Sequence, residues 1–295
     1  MALSHDPLWP RAGSWPAPDE TMDAAIIGIP AWRTSLSPTG AHATPAAIRD
    51  ALQRYSTTLI GPPAVDLNER LRIADAGDVA DADTDVEGVV ARVRALQPAF
   101  AIALGGDNSV TYPVARGAGA TGLITFDAHF DLRDGVSNGS PVRRLIQDAP
   151  DGERIDGSRV VQIGIADFAN SAAYVRRATD WGIRVITLDE VRRRGIADVV
   201  AEAVEVAGAD AAARVHLDID VDVCDRSVAP GCPASVPGGL AAWELRALTR
   251  AVASDPRVVS ADIAEVDATA DAPDGRTVRL AALCVLELLA GLVSR

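Results

Sequence analysis

The 295-residue chain contains no lysine: all 28 of its basic residues are arginine, set against 41 aspartates and glutamates for a formal charge of −13. That balance excludes a broad nucleic-acid footprint, because neutralising phosphates needs a positive face. It leaves room for a small anionic substrate held by one or two arginines. The dominance of Ala, Val, Asp and Arg is what a GC-rich genome produces, so the missing lysine carries no mechanism. There are three cysteines, Cys224, Cys232 and Cys284, an odd and widely spaced set that excludes a disulfide framework. The N-terminus lacks the basic-then-apolar layout of a signal peptide, and the expected compartment is the cytoplasm. No apolar run reaches the ~20 residues of a bilayer span. The longest, 280–293, contains Glu287 and reads as a buried C-terminal helix.

What is present is an alternation of short β-rich apolar runs with Ala/Arg/Leu segments of helical period, the pattern of βαβ units around a parallel sheet. Strands are expected at 24–29, 99–104, 122–126, 160–165, 185–187, 214–219 and 258–263, and helices at 45–54, 86–96, 172–181, 196–206 and 242–253. No repeat or long linker interrupts the series, so residues 24–295 read as one α/β domain behind an N-terminal extension, 1–23. Gly and Pro gather at strand exits, where an open α/β sheet places its ligand crevice.

Two of those exits are acidic. The strand 122–126 runs into Asp127-Ala128-His129-Phe130-Asp131, and an extended chain places 127, 129 and 131 on one face. The strand 214–219 carries Asp218, Asp220 and Asp222 in the same way. Either ladder alone is as well explained by an acidic loop or a helix N-cap. Two together are costly unless a cation lies among them. One His with several carboxylates is a hard, oxygen-rich donor set that suits Mn²⁺ better than Zn²⁺.

Gly105-Gly106-Asp107-Asn108-Ser109, Asp127 to Asp131, and Asp220-Val221-Asp222 with Asp225 and Ala229-Pro230-Gly231 resemble, in order and spacing, the arginase/agmatinase/formimidoylglutamase family. Gly40 to Arg49, Asp75 to Val79 (an Asp-x-Gly-Asp turn), Pro237 to Leu240 and Asp262 to Val266 extend the resemblance over most of the chain. It implies a three-layer α/β/α fold, a site for two Mn²⁺, a trimer or hexamer, and hydrolysis of a linear C–N bond in a small amidine by a hydroxide bridging the metals. By position, Asp127 and Asp220 would bridge both metals, Asp131 would bind the first, and His129 and Asp222 the second. Asn108 stands where the family's first metal usually has a His, a weaker and neutral donor, and the carboxylate of Asp218 is expected to compensate in part.

Within the family, Asp127 to Arg133 followed by the His-free loop Ser137-Asn138-Gly139-Ser140-Pro141 is closest to formimidoylglutamase, which acts in histidine breakdown. Asn138 takes the place of a proton-shuttling His in other members and is expected among the substrate contacts. Arg133 would pair with a substrate carboxylate, with Arg143 and Arg144 as further cations or, equally, a solvated helix face. Asp131 would move the proton, and Glu265 would bind and orient the amidinium. The alternatives are a guanidino-acid or agmatine-type ureohydrolase and a catalytically silent, metal-poor member, the latter motivated by Asn108 and Asn138. His216 reads as a buried, hydrogen-bonded strand histidine, His5 and His42 as loop residues, and Cys224 as packing.

Overall fold

The computed structural model describes residues 6–97 and 99–295, so His5 lies outside the described residues. The strands are β1 (Ala24–Ile29), β2 (Thr58–Leu59), β3 (Val65–Asp66), β4 (Ile73–Asp78), β5 (Phe100–Gly105), β6 (Gly122–Phe126), β7 (Val160–Ile165), β8 (Arg184–Thr187), β9 (Val215–Asp220) and β10 (Val258–Ala264). The helices are α1 (Thr44–Leu52), α2 (Leu67–Arg70), α3 (Val86–Arg94), α4 (Thr111–Gly117), α5 (Pro141–Gln147), α6 (Ala172–Asp180), α7 (Leu188–Arg194), α8 (Ile196–Ala207), α9 (Ala242–Ala253) and α10 (Arg276–Val293). Apart from the small β2–β3 hairpin, the strands form one eight-stranded sheet in the order β4-β1-β5-β10-β9-β6-β7-β8. Every pairing within it is parallel.

Helices cover both faces, and the two-residue period of the strands divides the core between them. Ile26, Ile102 and Ile124 face the layer that contains α1, α8, α9 and α10. Ile27 and Ala103 face α3 and α4, and Leu123 faces α5 and α6. The apolar segment 280–293 is the body of α10, with Glu287 buried and paired to Arg246 and Arg250 at 2.7 and 2.6 Å. No helix among the described residues is long and apolar enough to cross a membrane. Residues 10–16 pack on this body: Ala12 is fully buried and Trp15 Nε1 donates to Asn68 at 3.0 Å.

The seven expected strands are present, and β4 is added to them. Its sequence, IADAGD, is poor in strand formers, and the resemblance marks Asp75 to Val79 as a turn. It is held as an edge strand on β1, and its Asp75 and Asp78 receive Arg49 of α1 at 2.7 and 2.5 Å. That ion pair ties together the two early segments of the family resemblance.

The central four strands, β5-β10-β9-β6, end side by side. Gly106 follows β5 because the chain from β1 crosses here at backbone contact distance: a Cβ at 106 would overlap the carbonyl oxygen of Ala31. Asp107 N–H donates to Ala31 O at 2.9 Å and Glu265 N–H to Gly106 O at 2.9 Å, which locks the ends of β5 and β10 together.

Candidate metal centre and substrate cavity

At three of these strand ends an aspartate turns the chain by accepting the N–H two residues on. Asp107 receives Ser109 N–H at 3.1 Å, Asp127 receives His129 N–H at 2.6 Å, and Asp220 receives Asp222 N–H at 2.8 Å. Such Asx turns use one carboxylate oxygen and leave the other to point across the crevice. The segment 127–131 is therefore bent, not the extended ladder expected: it leaves the sheet after Phe126, and Asp131 has a left-handed backbone, φ 52°.

The bend separates the acidic side chains into two sets of ligand atoms, each mutually within 4.8 Å: Asp127, His129 and Asp222, and Asp127, Asp131 and Asp220. Asp127 belongs to both. Asp220, which the resemblance assigns to both metals, joins only the second set. His129 Nδ1 lies 2.7 Å from Asp222 Oδ2, and Asp222 Oδ1 accepts Ala128 N–H at 3.1 Å.

The electrostatics are those of a cation site. Burial, reinforced by Asp131 and Asp222, pushes the Asp127 carboxyl well above its ordinary range, and burial with Asp222 does the same to Asp220. Burial raises Asp131 to about 7 despite the opposing pull of His129. Burial would lower His129, but Asp222 and Asp127 outweigh it and raise the imidazole to about 12. Burial also opposes ionisation of Asp222, yet His129 and the Ala128 N–H hold it below the usual carboxylate range. The buried oxygen Asp127 Oδ2 has no hydrogen-bond partner. A fully buried aspartate common to both triads, with one carboxylate oxygen unpaired, fits a pair of divalent cations.

Asn108 does not present a carbonyl to this centre. Its Nδ2 donates to Asp131 Oδ2 at 2.7 Å and its Oδ1 accepts the Thr111 hydroxyl at 2.8 Å. A carboxylate offers only acceptors, so the amide turns its N–H₂ toward Asp131. Asp218 is likewise in neither ligand set. It is fully buried opposite Asp262 in the β9–β10 register, and the nearby carboxyls together with burial raise it far above its ordinary value. Compensation for Asn108 by a ligating Asp218 is thus not what the geometry shows. Asp262 is engaged by His216 Nε2 at 2.8 Å, and His216 Nδ1 by Ser260 Oγ at 2.8 Å, which makes His216 the buried strand histidine expected.

Beside the triads lies a cavity of about 280 Å³ lined by His129, Asp131, Arg133, Asn138, Asp220, Asp222 and Glu265, with Leu36, Ser37, Asn170, Ser171 and Tyr174 on its outer wall. Glu265 is 5% exposed, and its Oε1 accepts both Asn108 N–H at 2.8 Å and Asn138 Nδ2 at 2.7 Å. Burial raises its carboxyl to about 8 against those two donors. Arg133 is the only arginine on the lining. Arg143 is committed to Arg133 O at 2.8 Å, Gly135 O at 3.0 Å and Asp148, and Arg144 lies 3.7 Å from the Tyr112 ring centroid. Neither lines the cavity, so both are structural. Together with Arg177, which donates to Leu132 O at 2.6 Å, Arg143 pins the loop that carries Arg133.

Sequence reasoning missed Asn170. Its Oδ1 accepts Phe130 N–H at 3.0 Å and its Nδ2 donates to Ala128 O at 2.9 Å, gripping the backbone between the ligands. His42, expected in a loop, is exposed in a single 3-10 turn, Ala41–Ala43, with its ring tilted 47° to that of Trp32 at 5.2 Å; Cys224 is buried packing, as expected.

A model of the arginase family matches residues 22–291. The chain belongs to the arginase family. It is 35% identical over 287 residues to the formimidoylglutamase of Bacillus subtilis, covering 91% of this chain and 86% of that protein. The crystal structure of the Bacillus subtilis formimidoylglutamase superposes with a TM-score of 0.88, over 99% of this chain and 94% of that one. The Trypanosoma cruzi formiminoglutamase with Mn²⁺ superposes at 0.86 with 27% identity, over 97% and 99%. A guanidinopropionase of Pseudomonas aeruginosa is 31% identical over 91% of this chain and 86% of its own length.

Proposed function

We propose that this arginase-family chain is an amidine hydrolase that converts N-formimidoyl-L-glutamate and water to L-glutamate and formamide, with two Mn²⁺ held by Asp127, His129, Asp131, Asp220 and Asp222. The observation that carries the reading is that two candidate ligand triads sharing the buried Asp127 adjoin one cavity, whose lining includes a buried Glu265 and Arg133. The similarity to formimidoylglutamases supports the substrate, and the Mn²⁺ named with the Trypanosoma cruzi relative supports the metal.

Two divalent metals at such a site lower the pKa of water enough to give a nucleophile near neutral pH. The residues supply the rest. Glu265 has one oxygen fixed by two N–H donors, so its other oxygen is free to pair with the amidinium and hold its carbon toward the triads. Arg133 receives a glutamate carboxylate, which places the scissile C–N bond between the two charged ends. Asp131, on the cavity lining beside the triads, is suited to accept a proton and return it to the departing amine. Asn108 keeps Asp131 in place.

A guanidino acid is the second reading, favoured by the guanidinopropionase relative and by the same Arg133, which selects for an acid over an amine. The unpaired, buried cysteines fit a reducing compartment such as the cytoplasm, and a homo-oligomer, trimer or hexamer, is the assembly expected of the family. Metal-stripped protein reloaded with Mn²⁺ is to be assayed with N-formimidoyl-L-glutamate, guanidinobutyrate and agmatine. Formamide and glutamate from the first alone is the expected result. Urea from guanidinobutyrate would replace the substrate, and silence on all three with fewer than two metals bound would indicate a silent member.

A further inference from the structure

We propose that Asn138 is a positioning residue that acts as a latch: one carboxamide fastens the 34–37 segment over the cavity and fixes the carboxylate of Glu265, so that closure and orientation are a single event. The inference rests on Glu265 as the amidinium-binding carboxylate and changes the role of Asn138 from substrate contact to support. Asn138 Nδ2 donates to Glu265 Oε1 at 2.7 Å, its Oδ1 accepts Leu36 N–H at 3.0 Å, and its own N–H donates to Thr34 O at 3.2 Å.

The ends of the segment are anchored elsewhere: Trp32 and Arg33 N–H both donate to Asp83 at 2.8 Å, and Gly40 N–H donates to Asp267 at 2.7 Å. Between them Thr34 Oγ1 makes a long 3.4 Å contact to Asp107 and Thr39 Oγ1 donates to Asp267 at 3.3 Å, and at 34–36 both backbone hydrogen bonds to the body are to Asn138. Gly139 belongs to the same device. A Cβ there would lie 3.2 Å from Leu36 Cδ1 and 2.8 Å from Arg133 Cδ, so Leu36 and Arg133 settle side by side over bare backbone. Glu265 needs such support because its backbone is left-handed, φ 60°, a conformation a side chain adopts only when its surroundings impose it. An amide meets both demands because it donates at one end and accepts at the other. A carboxylate at 138 would keep the bond to Leu36 and set a second acidic group against Glu265.

The test compares Asn138→Asp and Asn138→Ala by amide hydrogen exchange at Leu36, bound metal per chain, and turnover of N-formimidoyl-L-glutamate. Asn138→Asp is expected to keep the wild-type protection of Leu36 while kcat falls about 100-fold, the scale of a misplaced reacting group. Asn138→Ala is expected to show the same kinetic loss, with Leu36 exchanging about tenfold faster, the scale of one hydrogen bond. Both are expected to bind metal as the wild type does, because Asn138 bonds to no ligand. Wild-type exchange at Leu36 in Asn138→Ala, wild-type kcat in either variant, or loss of metal in either would overturn the latch. Should the wild-type chain turn over no formimidoyl compound, the substrate assignment fails, and the exchange at Leu36 still decides the tie.

Discussion

Asp127 belongs to both ligand triads, whereas Asp131 and Asp222 each belong to one, and the three positions therefore differ in what their loss removes. Asp127→Asn is expected to release both metals, Asp131→Asn and Asp222→Asn one each, counted by elemental analysis after dialysis. The affinity loss at each affected site should exceed about tenfold, the smaller cost of losing even an outer partner of a ligand. Equal stoichiometry in all three variants would contradict the shared-ligand arrangement. Arg133 lines the same cavity, and on the proposed reading it pairs with a substrate carboxylate and takes no part in the chemistry. Arg133→Ala removes a charge-assisted bond present in ground and transition states alike, so KM should rise about 10–100-fold with kcat nearly unchanged. A fall in kcat without a rise in KM would show that Arg133 acts on the chemistry instead.

The loop element that precedes α1 is held by Asp267, which accepts Gly40 N–H at 2.7 Å, Thr269 N–H at 2.8 Å and the Thr269 hydroxyl at 2.6 Å. Burial opposes its ionisation, but these N–H donors prevail and keep the carboxyl below its usual range. A carboxyl depressed in the folded state stabilises the fold above its unfolded pKa, and that contribution is lost as pH falls through the lower, folded value. Asp267→Asn should accordingly cost about 1–3 kcal/mol at pH 7, with the gap to wild type shrinking below about pH 4, as read from urea denaturation. At this same scale the strands buried on both faces were legible as continuous apolar runs, whereas β4 was not, since what makes IADAGD a strand is Arg49 from another element. The short helices α4, α5 and α7 span seven residues each, too few turns for a helical period to stand out. The Asp-x-His and Asp-x-Asp spacings marked the candidate metal centre because Asx turns are local. The commitments of Asn108, Arg143, Arg144 and Asp218 were hidden, since each is decided by a partner that only the fold brings near.

Taken whole, the molecule gathers the buried carboxyls of Asp107, Asp127, Asp131, Asp218, Asp220, Asp222, Asp262 and Glu265 around one end of its sheet, with His129 and His216 among them. Without metal, burial among like charges lifts Asp127, Asp218 and Asp220 well above their ordinary range, Asp131 to about 7 and Glu265 to about 8. Between the unfolded carboxyl value near 4 and those folded values, the native chain binds more protons than the unfolded one, so stability falls as pH rises. His129, raised to about 12, has the same sign: its contribution is complete below about pH 6.5 and fades as pH climbs toward the folded value. Metal reverses this slope, because it binds the folded chain and uses the carboxylates ionised. A site filled at about 100 times its Kd adds about 2.7 kcal/mol, roughly 4–5 °C in a chain of this size. The chelated protein should therefore melt lower at pH 8 than at pH 6, and added Mn²⁺ should raise the melting temperature more at pH 8, as followed by calorimetry. A metal-free chain that is more stable at pH 8, or a melting point indifferent to Mn²⁺ there, would mean that the buried carboxyls are satisfied by the protein alone.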